Sequence, residues 1–337
     1  MNRRLMLFVG QNPPRVPLVI LTAGLLTIFG QGCASRRPMP VVIQGQPIPR
    51  AGSCSAEDIN LHCVTYNIWG LPSWITGAPT GRYARIEREL ERLDPDIILL
   101  QEAWTNHARR AVPTNGFWAI ARAAGQHTLF QQDGLVTLSK FPIVGGEFYP
   151  FSRAAFPDRL VNKGALKVTV QIPNGRLLNI WNVHMQDGGA TAVRGSQVRE
   201  LIARVQATDN GQIADLVGGD FNCTPGSALC KELARGLGPT LQQLSGGERF
   251  TTWDGLSKKP GTGQMIDYIF LRERTTFNNL QASQHVAFTS EKLEERLSDH
   301  FGIEAEVKLT PAHSITGALG SSLEPVQSPA ILAHRAP

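Results

Sequence analysis

From Leu61 onward short apolar runs recur along the chain, each closed by a polar residue: LHCVTYN, DIILLQE, GLVTLS, ALKVTV, LLNIWNVH, DLVGGDFN, MIDYIFL and FGIEAEV. Their length and their content of β-branched and aromatic residues predict buried strands. Between them the period changes. Tyr83, Ile86, Leu90 and Leu93 fall on one face of a helix whose other face is charged, and Val198, Leu201, Ile202 and Val205 form a second apolar face of the same kind. Thirty-three Gly and 22 Pro are spread over the length and supply many turns, so the pattern predicts a strand-rich α/β protein over a helical bundle. No internal repeat is visible.

The flanks read differently. Arg3 and Arg4 precede an uncharged apolar stretch from Leu18 to Phe29 that ends in small residues before Cys33. This is the pattern of an export signal over residues 1–32, and it falls short of the roughly 20 apolar residues a permanent membrane anchor needs. Gly30-Gln31-Gly32-Cys33 loosely resembles a lipoprotein signal, with Gly30 where an aliphatic residue is expected, so two fates stay open: a membrane-anchored lipoprotein carried on Cys33, or simple secretion. Residues 33–55, with their Pro, Arg and Gln, read as a linker. Residues 56–309 form one domain, and the Pro-, Ser-, Ala- and Gly-rich residues 310–337 read as a disordered tail. Export suits Cys54, Cys63, Cys223 and Cys230, whose short spacings favour pairing Cys54 with Cys63 and Cys223 with Cys230; four buried free thiols are the alternative. Neither spacing is that of a zinc site.

Composition is that of an ordinary folded protein, 42% hydrophobic and 18% charged. The formal charge of +5 includes Arg3, Arg4 and Arg15 of the export segment; without those three it is +2, too little to imply a polyanionic partner.

Several apolar runs end in, or contain near an end, a residue whose burial is costly unless it serves a function. These are Asn67, Glu102, His184 and Asp220. Strand ends in layered α/β folds converge on one edge, so these side chains can meet although they lie far apart in sequence. The ordered strings YNIWG, LLQEAW, NVHM, GGDFN, IDYIF and SDHFG carry Asn67, Glu102, His184, Asp220 with Asn222, Asp267, and Asp299 with His300. Together they resemble the endonuclease/exonuclease/phosphatase superfamily over residues 61 to 308. The fold the resemblance implies is α/β, a DNase I-like four-layer α/β/β/α sandwich with two packed mixed β-sheets.

The chemistry implied is metal-assisted hydrolysis of a phosphoester. Such a reaction needs a water nucleophile, neutralisation of charge on the phosphoryl oxygens and help for the leaving alkoxide. Magnesium prefers oxygen ligands and keeps several waters, and manganese or another divalent ion is the alternative. Glu102 is the first metal ligand, with Asn67 supplying an amide oxygen or orienting the Glu. His300 is the general base, its tautomer fixed by Asp267. Asp220 holds the attacking water, Asn222 bonds a phosphoryl oxygen, and His184 stabilises the phosphoryl group or protonates the leaving oxygen. Asp299 is a supporting or second-metal residue, or only fixes the loop before His300. His62, His107, His127, His285 and His313 lie outside the matching strings and read as ordinary surface or core residues.

The shared strings do not choose a substrate. Trp69 stands where abasic-site DNA endonucleases carry an acid, and IWGLPSWI makes an apolar, aromatic loop beside the metal position, which suits a lipid better than a phosphate backbone. The alternative is that Trp69, Trp74 and Ile75 pack beneath the loop. DRLVNKG resembles the Asp-x4-Lys-Gly element of neutral sphingomyelinases, which implies Asp158 and Lys163 as a substrate-side pair; taken as residues alone, Lys163 is a surface cation at a strand start. The expectation is hydrolysis of sphingomyelin or a related phospholipid at a membrane surface, with release of the phosphorylated head group. A secreted nuclease acting on nucleic acid is the runner-up, and a non-catalytic binding protein on the same fold the third. No obligate protein partner is evident.

Overall fold

A computed structural model describes residues 36–45, 58–113, 119–124, 133–173, 175–208, 213–238, 251–252, 263–272, 277–287 and 297–311, all within one compact unit that begins at Ser35. The export segment, Cys33, Cys54 and the tail beyond Pro311 lie outside these residues. Among the described residues no helix is long and apolar enough to cross a membrane.

Two βαβ units set the site. In the first, β2 (Ile59–Asn67) leads through α2 (Arg82–Leu93) to β3 (Ile97–Gln101), and β2 and β3 pair in parallel with Asn67 opposite Gln101. In the second, β8 (Leu177–His184) leads through α3 (Thr191–Ala207) to β9 (Ala214–Asp220), parallel again, with His184 opposite Asp220. Parallel strands need a crossover, and a helix laid across them buries their outer face, so β3 and β9 are buried along their whole length and read as continuous apolar runs. Helix α2 buries Tyr83, Ile86 and Leu90, the stripe expected from its period, and stops where Asp94 turns into the left-handed region at φ 50°.

The other strands run antiparallel: β1 (Met39–Gly45), β4 (Ala119–Ala123), β5 (Val136–Ser139), β6 (Ile143–Pro150), β7 (Gly164–Gln171), β10 (Asp267–Arg272), β11 (Phe277–Ala287) and β12 (Gly302–Pro311). Their order is β10-β9-β8-β7-β6-β1-β4-β5-β3-β2-β12-β11. The mixed α/β expectation holds. The two runs are continuous through β1, which pairs with β4 through Val41–Gly45 and with β6 through Met39 and Pro40, so that twelve strands follow one order. The expected linker is thus in part a strand: the alternation of MPVVIQG was hidden in its Pro-rich surroundings.

Apolar clusters hold the elements together. One draws Leu61, Ile97 and Leu99 from the first run and Val168, Ile180 and Ile269 from the second. Another joins Trp181, Val217 and Phe270 to Val198 and Leu201 of α3 and Leu233 of α4 (Ala228–Leu237), and a third joins Ile98 and Leu100 to α2. The cysteines serve this packing. Cys63, Cys223 and Cys230 are free thiols, and the favoured Cys223–Cys230 disulfide is not formed; the two side chains pack in the α4 cluster instead.

All the parallel strands end, and β7, β10 and β12 begin, at one edge. The register makes this explicit: Gly164 pairs with His184, Asp267 with Asp220, and Ile303 with Thr65. Residues hundreds of positions apart therefore arrive at the same place.

Candidate active site

At that edge lies a cavity of about 690 Å³. Glu102, His184, Asp220, Asn222, Asp299 and His300 line it, as do Asp158 and Lys163. Asn67 and Asp267 do not line it; they stand behind the lining and hold it. The fold thus brings together every residue expected at the site, but with two of them one step removed.

Asn67 ends β2 fully buried. Its Nδ2 donates to Glu102 Oε1 at 3.1 Å and to Asp220 Oδ2 at 3.1 Å, while its Oδ1 accepts the Trp69 N–H at 3.0 Å. Because a backbone N–H can only donate, that last bond fixes the amide's orientation. Asn67 is therefore an orienting residue for two carboxylates. Glu102, just past β3, has φ 61°, and Trp69 and Asn222 share this left-handed conformation at 50° and 52°. Such backbone is costly for residues with a Cβ and marks sites where geometry is over-determined by the surroundings. Two glycines permit the close approaches beside them: a Cβ on Gly70 would lie 1.7 Å from the Glu102 carbonyl oxygen, and one on Gly219 2.0 Å from that of Val183.

His300 Nδ1 lies 2.9 Å from Asp267 Oδ2, the oxygen to which Thr251 Oγ1 donates at 2.6 Å. Ser298 Oγ donates to the Asn67 carbonyl at 2.7 Å and accepts the His300 N–H at 3.2 Å, tying the two ends of the constellation. His184 Nε2 lies 3.5 Å from Asp220 Oδ2 and 3.9 Å from Glu102 Oε1, with its ring stacked on Trp104 at 6.0 Å between centroids. Asn222 N–H donates to Asp220 Oδ1 at 3.0 Å, a turn that bends the chain after β9, and its Nδ2 donates to the Met185 carbonyl.

Lys163 is not a surface cation. It is 4% exposed, its Nζ 2.9 Å from Asp158 Oδ2 and 2.9 Å from the Met185 carbonyl, and Asp158 Oδ2 also accepts the Asp187 N–H. Nor does the aromatic loop fold under itself: Trp69 and Ile75 line the cavity, and Trp74 is 82% exposed.

Burial and crowding set the protonation states. Desolvation, then the nearby Asp299 charge, raises Glu102 to about 8; desolvation, then Asp267, raises Asp220 to about 7. Burial also raises Asp299. Burial would drive His300 down, but the charge and hydrogen bond of Asp267, with Asp220 and Asp299, outweigh it and hold His300 well above the usual imidazole value. His184 goes the other way, pushed well down by burial and then by the Lys163 and His300 charges.

These shifts have a sign in stability. The fold keeps protons on Glu102 and Asp220 that the unfolded chain has released by pH 6.5, and on His300 one that the unfolded chain releases around pH 6.5, so their contribution is present at low pH and lost as pH rises toward 8 and beyond. His184 acts oppositely, but only below its ordinary value of 6.5, where the unfolded chain takes up a proton that the fold refuses. The metal-free protein is expected to melt a few degrees lower at pH 8 than at pH 6.5, and millimolar magnesium to raise the melting temperature more at pH 8, because cation binding needs the ionised carboxylates. Differential scanning calorimetry reads both; a melting temperature that rises over this window without metal would show the groups ionised in the fold.

The donor set fits a divalent cation. Glu102 Oε2 is buried and has no hydrogen-bond partner among the described residues, although Asn67 fixes its other oxygen. Oxygen donors of this kind suit magnesium. Asp220, Asp267 and His300 also bring ligand atoms within 4.8 Å of one another, a second possible set, although in this structure Asp267 Oδ2 is already engaged by both His300 Nδ1 and the Thr251 hydroxyl.

Sequence reasoning missed Arg82. It is 7% exposed and donates to the carbonyls of Ile68 and Leu297, each at 2.7 Å, to that of Trp69, and to Tyr83 Oη at 2.8 Å. It clamps the backbone beside Asn67 to the backbone beside Ser298. A signal existed: Arg82 stands four residues before Ile86 on the apolar stripe of α2, where a charge has no reason to be. Thr251 carried no signal, lying in an irregular stretch.

Acids, imidazoles and a buried ammonium group thus converge on one cavity at a sheet edge. The chain belongs to the endonuclease/exonuclease/phosphatase family, whose pattern matches residues 64–300, well over half of its length. It is similar to an inositol phosphosphingolipids phospholipase C of Schizosaccharomyces pombe, 27% identical over 49% of this chain and 42% of the relative, and to a putative neutral sphingomyelinase of Drosophila melanogaster, 24% identical over 74% and 61%. The chain thus spans less than two thirds of either relative. In fold it resembles a mutant beta toxin of Staphylococcus aureus with bound magnesium ions, with TM-score 0.57, 18% identity, and coverage of 73% of this chain and 99% of that one.

Proposed function

We propose that the chain is a magnesium-dependent phosphodiesterase that hydrolyses sphingomyelin or a related phospholipid and releases the phosphorylated head group. The observation that carries the substrate reading is Lys163, buried, paired with Asp158 and lining the same cavity as Glu102 and His300. A buried ammonium group with one carboxylate partner is costly unless it has a use, and a phosphodiester anion supplies one. The similarity to two sphingolipid phosphodiesterases supports the same substrate class. The clusters that join the two strand runs to each other and to the helices support the four-layer reading of the fold.

Glu102, oriented by Asn67, would hold the cation, with Asp299 nearby; when bound, magnesium neutralises the phosphoryl oxygens and lowers the proton affinity of the groups around it. Asp220, held by Asn67 and by the Asn222 N–H, positions the attacking water. His300 takes the water proton at Nε2, since its Nδ1 is committed to Asp267. His184 is neutral, its Nδ1 without a partner among the described residues, and donates from Nε2 to a phosphoryl oxygen. This narrows the two roles expected of it, because an imidazole so hard to protonate is a poor proton source for the leaving alkoxide. Lys163 fixes a phosphoryl oxygen and Asp158 fixes Lys163. Export of the mature chain, with or without a lipid on Cys33, belongs to the same reading, and the mass of the N-terminal peptide from a bacterial membrane fraction tests it.

The deciding experiment compares magnesium-dependent release of phosphocholine from sphingomyelin micelles with nicking of plasmid DNA. Lipid turnover is expected. Nicking without lipid turnover would make the chain a nuclease, and binding without hydrolysis of either would make it a binding protein. Lys163→Ala is expected to cut lipid turnover at least tenfold more than turnover of bis-p-nitrophenyl phosphate, because the loss leaves the Asp158 carboxylate without its counter-charge beside the head-group site. Equal losses on the two substrates would remove the lysine from substrate choice.

A further inference from the structure

The mouth of the cavity is flanked by two short elements that bury nothing. One is α1 (Ser73–Thr76), the other the 3-10 turn Asp158–Leu160, and neither contributes a buried apolar residue to the core. From α1, Ile75 faces the cavity while its neighbour Trp74 points outward, 82% exposed. From the second segment Leu160 faces the cavity while Phe156, at the start of the same loop, is 62% exposed. The other exposed large apolar side chains among the described residues, Val42, Ile43 and Val144, sit on β1 and at β6, away from the cavity lining. Arg159 holds its guanidinium 5.8 Å from the Phe156 ring centre, so the turn presents an aromatic face with a cation beside it.

Exposed rings that do no packing, grouped at a site entrance, mark an interaction surface. Its occupant is constrained by where it sits. A protein seated on Trp74 and Phe156 would cover the entrance used by the substrate. An extended lipid surface would not obstruct the reaction, because it is itself the pool of phosphodiesters, and its interface is where aromatic rings with one polar neighbour settle. We infer that Trp74 and Phe156, with Ile75 and Leu160 behind them, dock the protein onto a bilayer by entering the acyl-chain boundary, which brings the head-group phosphodiester level with Lys163 and Glu102. The inference deepens the lipid reading and rests on it.

The test uses the full chain, native and with Trp74→Ala plus Phe156→Ala. Neither side chain lines the cavity or packs in a core cluster, so the variant keeps its fold and its hydrolysis of bis-p-nitrophenyl phosphate. With vesicles of sphingomyelin and phosphatidylcholine, the double variant is expected to lose at least tenfold in co-sedimentation and in vesicle turnover. Equal sedimentation of native and variant protein would overturn the docking role. So would a native dimer, seen by analytical ultracentrifugation, that the two substitutions dissolve, since the rings would then cover each other. Failure of the substrate reading looks different: ring-dependent vesicle binding with no lipid hydrolysis. Lipid hydrolysis in detergent micelles that is the same in both proteins, together with equal vesicle binding, would instead leave the substrate reading standing and remove the docking surface.

Discussion

His300→Ala is expected to lower turnover by about two to four orders of magnitude at saturating magnesium, with little change in KM. The imidazole makes one strong bond, to Asp267, and that carboxylate also accepts from Thr251, so the relay determines which ring nitrogen faces the cavity. Removing the ring removes the proton acceptor and leaves Asp267 with Thr251 alone. Asp267→Asn should act on the same step. An Asn can no longer stabilise the charged imidazolium, so turnover falls and its dependence on pH shifts toward lower values as His300 loses the group that holds its proton. The two substitutions together should cost no more than His300→Ala, because residues acting as one unit are not additive. Stopped-flow or steady-state assays on a soluble phosphodiester measure this. Activity of His300→Ala within threefold of native would overturn the assignment of His300 as the base.

Glu102→Gln is the second large effect. The substitution keeps the shape and an oxygen for the Asn67 amide, so the local hydrogen bond survives, but it deletes the charge that a cation needs. Magnesium-dependent turnover is expected to fall at least a hundredfold, a loss of the size that removing a main electrostatic contributor brings. Calorimetric titration should show weakened magnesium binding, and the fall of melting temperature between pH 6.5 and 8 should become shallower, since one of the protons released there sits on Glu102. Unchanged metal affinity would place the cation elsewhere, with Asp220, Asp267 and His300 as the next set to test.

Asn67, Glu102, His184 and Asp220 were legible because a polar residue at the end of an apolar run has few structural reasons to be there. The parallel pairings then carried them to one edge, and this too followed from strands alternating with amphipathic helices. What escaped reading depended on contacts that sequence order does not encode. The strand β1 was lost because pairing to β4 on one side and to β6 on the other, not a strong pattern, makes MPVVIQG a strand. Asn67 was read as a metal ligand or an orienting group, and the Trp69 N–H, made available by a left-handed turn, fixes which side of its amide faces the two carboxylates. Lys163 taken as a residue alone read as a surface cation, and only the resemblance of DRLVNKG set it beside Asp158; its burial under Met185 and the end of β8 had no signal in its own neighbourhood. The disulfide expected from the spacing of Cys223 and Cys230 failed for a similar reason: both sulfurs are packing atoms in the α4 cluster.

The clamp made by Arg82 reaches from the carbonyls that follow Asn67 to that of Leu297, and β12, which follows at once, pairs with β2. β12, the last of the described strands, must therefore be in place before Asn67, the first residue of the constellation, is locked. Contacts of such long sequence separation form late, since the intervening chain has to be ordered first. The site is thus complete only at the end of folding, and under the proposed function a growing or incompletely folded chain would carry the acids and imidazoles of the site without the geometry that lets them work together.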